Sequence, residues 1–378
     1  MMKSSLRNVL MAGVLVTSAS MLLSGCSGTP TTGSTDTTAP STSASSQDAV
    51  AALGSQSNAD QMDALYQAAL SSGKTTIYVV GPAEPSRATY YATFMARYPG
   101  IKVVGTQASG PTFDSKIRNE VASGQYQTDL VQGGDTSVAP QLADGLYQAY
   151  TPFTASTLDA IWSEPSGTLW AASGSVSGIV YNTNLIQASD APKGWTDLLN
   201  PAFKDKMTMD DPTKFGPTFG TLNKMINDGR LDADFVSKLY AQNIAIAAQT
   251  QAADATVAAG QYAIEPIYPL DFYLTDKAAG APITWVMPND GVQISPHYLG
   301  LLANAPDIDA AKLLMNWSFT PEGQQGIASI GLYPLVPGEP GPDGNPSVDK
   351  LDLLKPIPLA DIATVSNTNL AAVKAAWQ

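Results

Sequence analysis

Between residues 75 and 340 the chain alternates runs with the two-residue spacing of strands and runs with the spacing of helices. Residues 60–71 read as a helix, and 75–80 as a β-rich run closed by Gly81-Pro82. Pro85 opens a helix in which Tyr90, Phe94 and Tyr98 recur every four residues, with Tyr91 and Met95 beside them. That face is expected to pack in the core, and Pro99-Gly100 stops the helix. A strand over 101–105 and a loop at Ser109-Gly110-Pro111 follow. Phe113, Ile117 and Val121 then mark a helix. A short strand over 129–131 ends at Gly133-Gly134-Asp135, and a further helix runs towards Gly145. This β-loop-α repetition predicts a mostly parallel sheet flanked by helices. Ligands of such sheets sit beyond the carboxyl ends of the strands, which here are the loops at 81–84, 109–110 and 133–135.

A long extended stretch over 168–186 interrupts the alternation, which then restarts. A short helix spans 195–199, and a strand over 206–209 is ended by Asp210-Asp211-Pro212. Helices are expected over 218–228, 232–242 and 254–260, the last preceded by Gln249-Thr250. A strand at 262–264 runs into Glu265-Pro266-Ile267-Tyr268, and another covers 284–287. A second long extended stretch, 291–303, precedes a helix over 308–319 with Leu313, Leu314 and Trp317 on one side. No repeat of fixed period is present. Two long extended crossings around a middle α/β block predict two lobes, the first of them discontinuous. The chain would leave lobe one near Ser173 and return near Val292, so that 49–174 and 292–378 form one lobe and 175–291 the other. A ligand cleft between them, closing by a hinge, follows.

The N-terminus has a different pattern. Lys3 and Arg7 precede an apolar run over 9–23 that ends in Leu23-Ser24-Gly25-Cys26, the order of a secretory signal. The run is short for a membrane span and carries Gly and several Ser. The Leu-Ser-Gly-Cys ending resembles the lipobox of bacterial lipoproteins. That resemblance implies cleavage after residue 25 and acylation of Cys26. It places the protein on the outer face of the cell membrane or in the periplasm, held by lipid alone. Cys26 is the only cysteine, so disulfides and cysteine-based metal sites or catalysis are excluded. Residues 26–48 are rich in Ser, Thr and Pro and bury too little apolar surface to order themselves. They read as a tether.

Composition narrows the class further. At 44% hydrophobic the chain can build a sizeable core, and no second long apolar segment occurs. A formal charge of −13 argues against nucleic acid, whose binding rests on Lys and Arg at phosphates. Net charge does not reveal the sign of a small ligand.

Three segments in order carry a family likeness. The first is Gly178-Ile179-Val180-Tyr181-Asn182-Thr183-Asn184. The second runs from Gly194-Trp195-Thr196-Asp197-Leu198 through Asn200-Pro201-Ala202-Phe203 to Met209-Asp210-Asp211-Pro212. The third is Thr320-Pro321-Glu322-Gly323-Gln324-Gln325 with Gly331-Leu332-Tyr333-Pro334. Over about residues 75–340 the chain resembles type II bacterial extracellular solute-binding proteins, in the group that holds ferric-iron, thiamine, phosphonate and polyamine binders. The resemblance implies an α/β, two-lobed periplasmic-binding-protein-like fold. It also implies a monomer that captures a small solute and delivers it to the permease subunits of an ABC-type importer, with no cofactor and no catalysis.

Iron and organic solutes make different demands. The iron-binding branch uses adjacent tyrosines where this chain has Ile267-Tyr268-Pro269, and proline cannot coordinate. Loop 81–84 has no histidine, and the chain's single histidine, His297, reads as structural. Tyr268, Glu84 and Asp211 make an incomplete oxygen set for ferric iron. An organic solute is therefore favoured over a metal. Candidate hydroxyls are Ser109, Ser173, Ser175 and Thr250. Helices starting after Gly110, Gly134 and Phe215 offer N–H groups to an anion, with Lys214 adding charge. Glu84, Asp135, Asp211 and Glu265, with Tyr268 nearby, would suit a cationic amine. The competing class is a secreted hydrolase built on Ser177, within Gly174-Ser175-Val176-Ser177-Gly178, and His297. That G-x-S-x-G pattern lies in an extended crossing rather than at a strand-to-helix turn, and the adjacent Asp210 and Asp211 would point to opposite faces. A binding protein coupled to a sensor is a third reading.

Overall fold

Residues 46–82 and 84–378 are described by the computed structural model; the expected signal segment and Cys26 lie outside them. Helix α1 (Ser46–Leu53) begins inside the stretch expected to be tether. Helix α2 (Gln56–Ser72) follows, with the Ser55 hydroxyl accepting from the Asn58 N–H at 3.1 Å and Gly73 turning left-handed to end it.

Strands β1 (Thr76–Gly81), β2 (Lys102–Gln107) and β3 (Leu130–Gly133) come next, with helices α3 (Ala88–Arg97), α4 (Gly110–Ser123) and α5 (Asp135–Ala143) in the connections. β2 and β3 flank β1 and both run parallel to it, as right-handed β-α-β passages require. The tyrosine-rich face of α3 is buried as its spacing predicts. Phe94 lies 5.4 Å from Trp317 and Tyr90 4.9 Å, ring centre to ring centre.

β4 (Leu169–Asn182) is the long crossing and pairs with four other strands of one eight-stranded sheet. Helices α6 (Pro217–Asp228), α7 (Ala233–Tyr240), α8 (Thr250–Ala258) and α9 (Leu270–Ala278) follow it, with strands β5 (Thr208–Asp210), β6 (Ala245–Ala247), β7 (Ile264–Pro269) and β8 (Ile283–Val286) between them. The chain returns through β9 (Gln293–Leu301), α10 (Ile308–Trp317), α11 (Pro321–Ser329), β10 (Tyr333–Pro334) and α12 (Ile362–Ala376). From Leu169 to Ser177, β4 pairs with β9, and at Ser173 and Gly174 with β10 on its other edge. From Ser177 onward its partners are β7 and β8. The same strand thus changes partners along its length within one continuous sheet.

Parallel pairing holds for β2-β1-β3 and for β5-β6. The expectation of mostly parallel sheets is corrected around the crossings: β3–β9, β9–β4, β4–β7, β4–β8 and β4–β10 are antiparallel. A chain that crosses over and then comes back runs in the opposite sense on its return, so β9 cannot match β4 in direction. Cores form on both sides of the crossing. One gathers Ile77, Phe94, Leu130, Leu301 and Trp317. Another gathers Trp195, Met207, Phe219, Val236 and Ile264, with Val373 of α12 completing it. Helix α9, strand β6 and helix α12 were not anticipated. Their apolar spacing is short or blurred by Ala, and only packing distinguishes them.

Candidate functional site

β1 ends in a tight approach. A β-carbon on Gly81 would lie 2.0 Å from the Gln132 carbonyl oxygen and 3.0 Å from Glu84 Oε1, so only glycine lets the chain turn there. The turn that follows buries Glu84 at 2% and Arg87 at 3% exposure. Glu84 Oε2 accepts from the Tyr91 hydroxyl at 2.6 Å, and Oε1 stands 3.5 Å from Arg87 Nε. Burial raises the Glu84 carboxyl above its ordinary pKa, while Arg87 and the Tyr91 hydrogen bond pull it down. Arg87 Nη2 donates to His297 Nδ1 at 3.1 Å. Its Nε and Nη1 are buried without a hydrogen-bond partner.

His297 belongs to a polar ladder. Successive strand residues point to opposite faces, so Ser173, Ser175 and Ser177 share one face of β4. Across the strand pair they stand against His297, Ser295 and Gln293 of β9. The opposite face carries Val176 and Ile294, which pack in the core. His297 Nε2 lies 3.1 Å from Ser175 Oγ. A guanidinium can only donate, so Nδ1 is the acceptor and the ring is the neutral Nε2–H tautomer. Burial of the ring, with the charges of Arg87 and Lys224 beside it, pushes its pKa down to about 3.

Lys224 of α6 reaches the ladder from the other side. Its Nζ is 3.0 Å from Ser295 Oγ and 3.4 Å from the Asp135 carboxylate at the start of α5. Gln293 Nε2 also donates to Ser295 Oγ, at 2.6 Å. Ser175, Ser295 and His297 are only half-buried, so the ladder opens outward, while Ser173 and Gln293 form its closed floor. Beside Asp135 lies a cavity of about 700 Å³ lined by Thr136, Ala139, Phe215, Ile362, Ala363 and Ser366. Ser366 accepts from Asn223 Nδ2 at 3.0 Å, which ties α12 to the helix that carries Lys224.

A second polar cluster lies around β7. Glu265 is fully buried beside the carboxyl of Asp254 of α8, and no other donor reaches either Glu265 oxygen. Burial first, and then the charge of Asp254, raise Glu265 well above the carboxylate range. Burial likewise raises Asp254, to about 7. Two carboxyls so placed titrate as a coupled pair, the protonated form favoured by burial. The Tyr268 hydroxyl donates to Asp276, and Pro269 follows it into the strand end.

The structure therefore gathers part of the expected set. Glu84, Ser173, Ser175 and Asp135, with Gly134 as the N-cap of α5, meet at the ladder. Thr250 starts α8 and is buried, alongside the Glu265 cluster. Ser109 and Gly110 start α4, and Gly110 takes φ +52°. Asp211 and Lys214 instead pair with each other at 2.9 Å, with Lys214 exposed. Phe215 is 62% exposed and meets Phe219 edge-on. Arg87, Lys224, Gln293 and Ser295, which also belong to the ladder, were not among the expected set, and His297 was expected there only as the partner of Ser177 in a hydrolase. The alternation Gln293, Ser295, His297 against Ser173, Ser175, Ser177 was the available signal, visible only once β4 and β9 were known to pair. The hydrolase reading is corrected by the same geometry. His297 bonds Ser175 rather than Ser177, and Arg87, not a carboxylate, orients its other nitrogen. Among the described residues no group of three or more His, Cys, Asp or Glu is placed to hold a metal ion.

A profile of the family described as "Bacterial extracellular solute-binding protein" matches residues 67–325. A Salmonella typhi periplasmic protein to which 2-aminoethylphosphonate binding is attributed is 27% identical over 158 residues, 40% of this chain and 46% of that one. A Sinorhizobium fredii protein, y4fP, assigned as an ABC transporter periplasmic-binding protein, is 23% identical over 278 residues, 69% of this chain and 75% of its own. Among solved structures, the periplasmic binding protein AfuA from Actinobacillus pleuropneumoniae, with exogenous fructose-6-phosphate bound, superposes with a TM-score of 0.62 at 20% identity, over 80% of this chain and 99% of that one. Iron-bound HitA from Pseudomonas aeruginosa gives 0.64 at 16% identity, over 80% and 100%.

Proposed function

Because the chain belongs to the bacterial extracellular solute-binding protein family, we propose that this solute-binding component of an ABC importer captures an organic solute rather than a metal, on the polar ladder between its two lobes. The observation that carries the reading is the ladder itself. Hydrogen-bonding side chains from both sides of the crossing, Arg87 from one and Lys224 from the other, converge on one face of β4 and β9. Buried groups left unpaired are costly, on the order of 1–3 kcal/mol each, so a fold keeps them where a ligand completes them.

Residues 49–174 and 292–378 form one lobe in this proposal and 175–291 the other. The change of β4 partners at Ser177 supports that division. The organic reading draws on Tyr268, whose hydroxyl is engaged by Asp276 and followed by Pro269. The residues past the signal segment anchor the protein through acylated Cys26 on the outer face of the membrane.

Two experiments test this. Fractionation of cells expressing the full chain is expected to find it with the membranes and to find Cys26→Ser in the soluble fraction; a soluble wild type ends the anchor. A thermal-unfolding screen of amines, phosphonates, carboxylates, sugar phosphates and ferric citrate is expected to show an organic solute stabilising by about 2.7 kcal/mol at a hundredfold excess over Kd. A coloured one-to-one ferric complex would reverse the choice of solute.

A further inference from the structure

The geometry points to a solute with a tetrahedral oxyanion head, a phosphonate or a phosphate monoester, held by Arg87, Ser173, Ser175, Ser295 and Lys224. This inference rests on the solute-capture reading and goes beyond it to the chemistry of the ligand.

Arg87 spends Nη2 on His297 and turns Nε toward the Glu84 carboxylate at 3.5 Å, while its Nη1 hydrogens are buried without a partner. His297, as the Nε2–H tautomer, donates to Ser175 Oγ, so the hydroxyl hydrogen of Ser175 is free to point elsewhere. Ser295 Oγ receives two donors, Lys224 Nζ and Gln293 Nε2, which again leaves its own hydrogen free. Ser173 Oγ is buried on the same strand face with no partner. The unfilled acceptors nearby are Gln293 Oε1 and Glu84 Oε1, and Glu84 already faces the Arg87 charge. The free capacity is thus weighted to donors, and more donor hydrogens are free than the four lone-pair positions of a carboxylate can take. A head with three terminal oxygens takes them. An ammonium head finds the reverse: Glu84 and Asp135 already have Arg87 and Lys224 as partners. Ser175 and Ser295 are half-buried, which gives the head a way in.

The test is calorimetric titration of the purified protein, stripped of copurified solute, with methylphosphonate, glycerol 3-phosphate, inorganic phosphate, acetate, putrescine and ferric citrate. Methylphosphonate or glycerol 3-phosphate is expected to bind. Arg87→Gln should weaken that binding about a hundredfold, and Ser173→Ala or Ser295→Ala about tenfold each. Inorganic phosphate binding equally well supports the head and shows that the site reads nothing beyond it. Binding of acetate, putrescine or ferric citrate alone overturns the oxyanion and leaves solute capture standing. Binding of none, with no small molecule found by mass spectrometry in protein taken directly from cells, overturns both. If Arg87→Gln does not fold, the two serine variants decide alone, and unchanged affinity in both places the anion elsewhere.

Discussion

His297 and the Asp254–Glu265 pair titrate in opposite senses, and the directions follow from their surroundings. The His297 ring, buried beside two cations, has its pKa pushed down to about 3. An unfolded imidazole takes up its proton near pH 6.5. The unfolded chain therefore binds a proton that the folded one refuses, and stability is lost as pH falls below 6.5, by up to about 1.4 kcal/mol per unit. The buried carboxyls behave inversely. Glu265 is raised well above the usual range and Asp254 to about 7, so the unfolded chain ionises first and stability is lost as pH rises from about 4 to 7. Glu265→Gln keeps the shape and removes that titration. Urea unfolding is expected to show it near wild type at pH 4 and more stable by at least about 1 kcal/mol at pH 8; equal stability at both pH values would refute the raised carboxyls. His297 is the chain's only histidine, so one imidazole resonance reports its tautomer, expected neutral down to pH 4.

Among the elements, α11 shows how far local rules reach. Thr320 accepts from the Gly323 N–H at 3.2 Å, Pro321 occupies the first helical position, and Glu322 sits in the first turn. All of that is legible in the order of residues. What the order conceals is why Gly323 must be glycine: a β-carbon there would lie 2.0 Å from the Trp317 carbonyl oxygen. Glu322 also accepts from Trp317 Nε1 at 2.7 Å and pairs with Arg97, which joins α11 to α10 and α3. Thr320→Ala is expected to cost about 1 kcal/mol in chemical denaturation. Gly323→Ala should cost more than about 2 kcal/mol, because backbone rather than a movable side chain blocks the methyl. A Gly323→Ala protein as stable as Thr320→Ala would mean that α11 can shift away from α10.

At the scale of the molecule, β4 and β9 serve as both passage and floor. Their shared face holds the ladder where the partners of β4 change, so a ligand seated there, as proposed, would touch groups from either side. Hinge closure about such crossings is expected to lower the radius of gyration in X-ray scattering when solute is added, and Lys224→Ala should reduce that change by removing the cation that α6 contributes. An unaltered profile with saturating solute would exclude closure. The sequence by itself determined the order of strands and helices, the two crossings and the family likeness, because apolar spacing, caps and glycine-proline stops act over a few neighbouring residues. It also named Glu84, Asp135, Ser173 and Ser175, which the fold brings to one polar ladder. Only the tertiary structure decided that Asp211 and Lys214 spend their charges on each other, and that Arg87, Lys224, Ser295 and His297 meet on one polar ladder. Those four come from separate stretches of the chain. The register between β4 and β9, and the reach of α6 across to them, set their meeting, and neither is a local property of the chain.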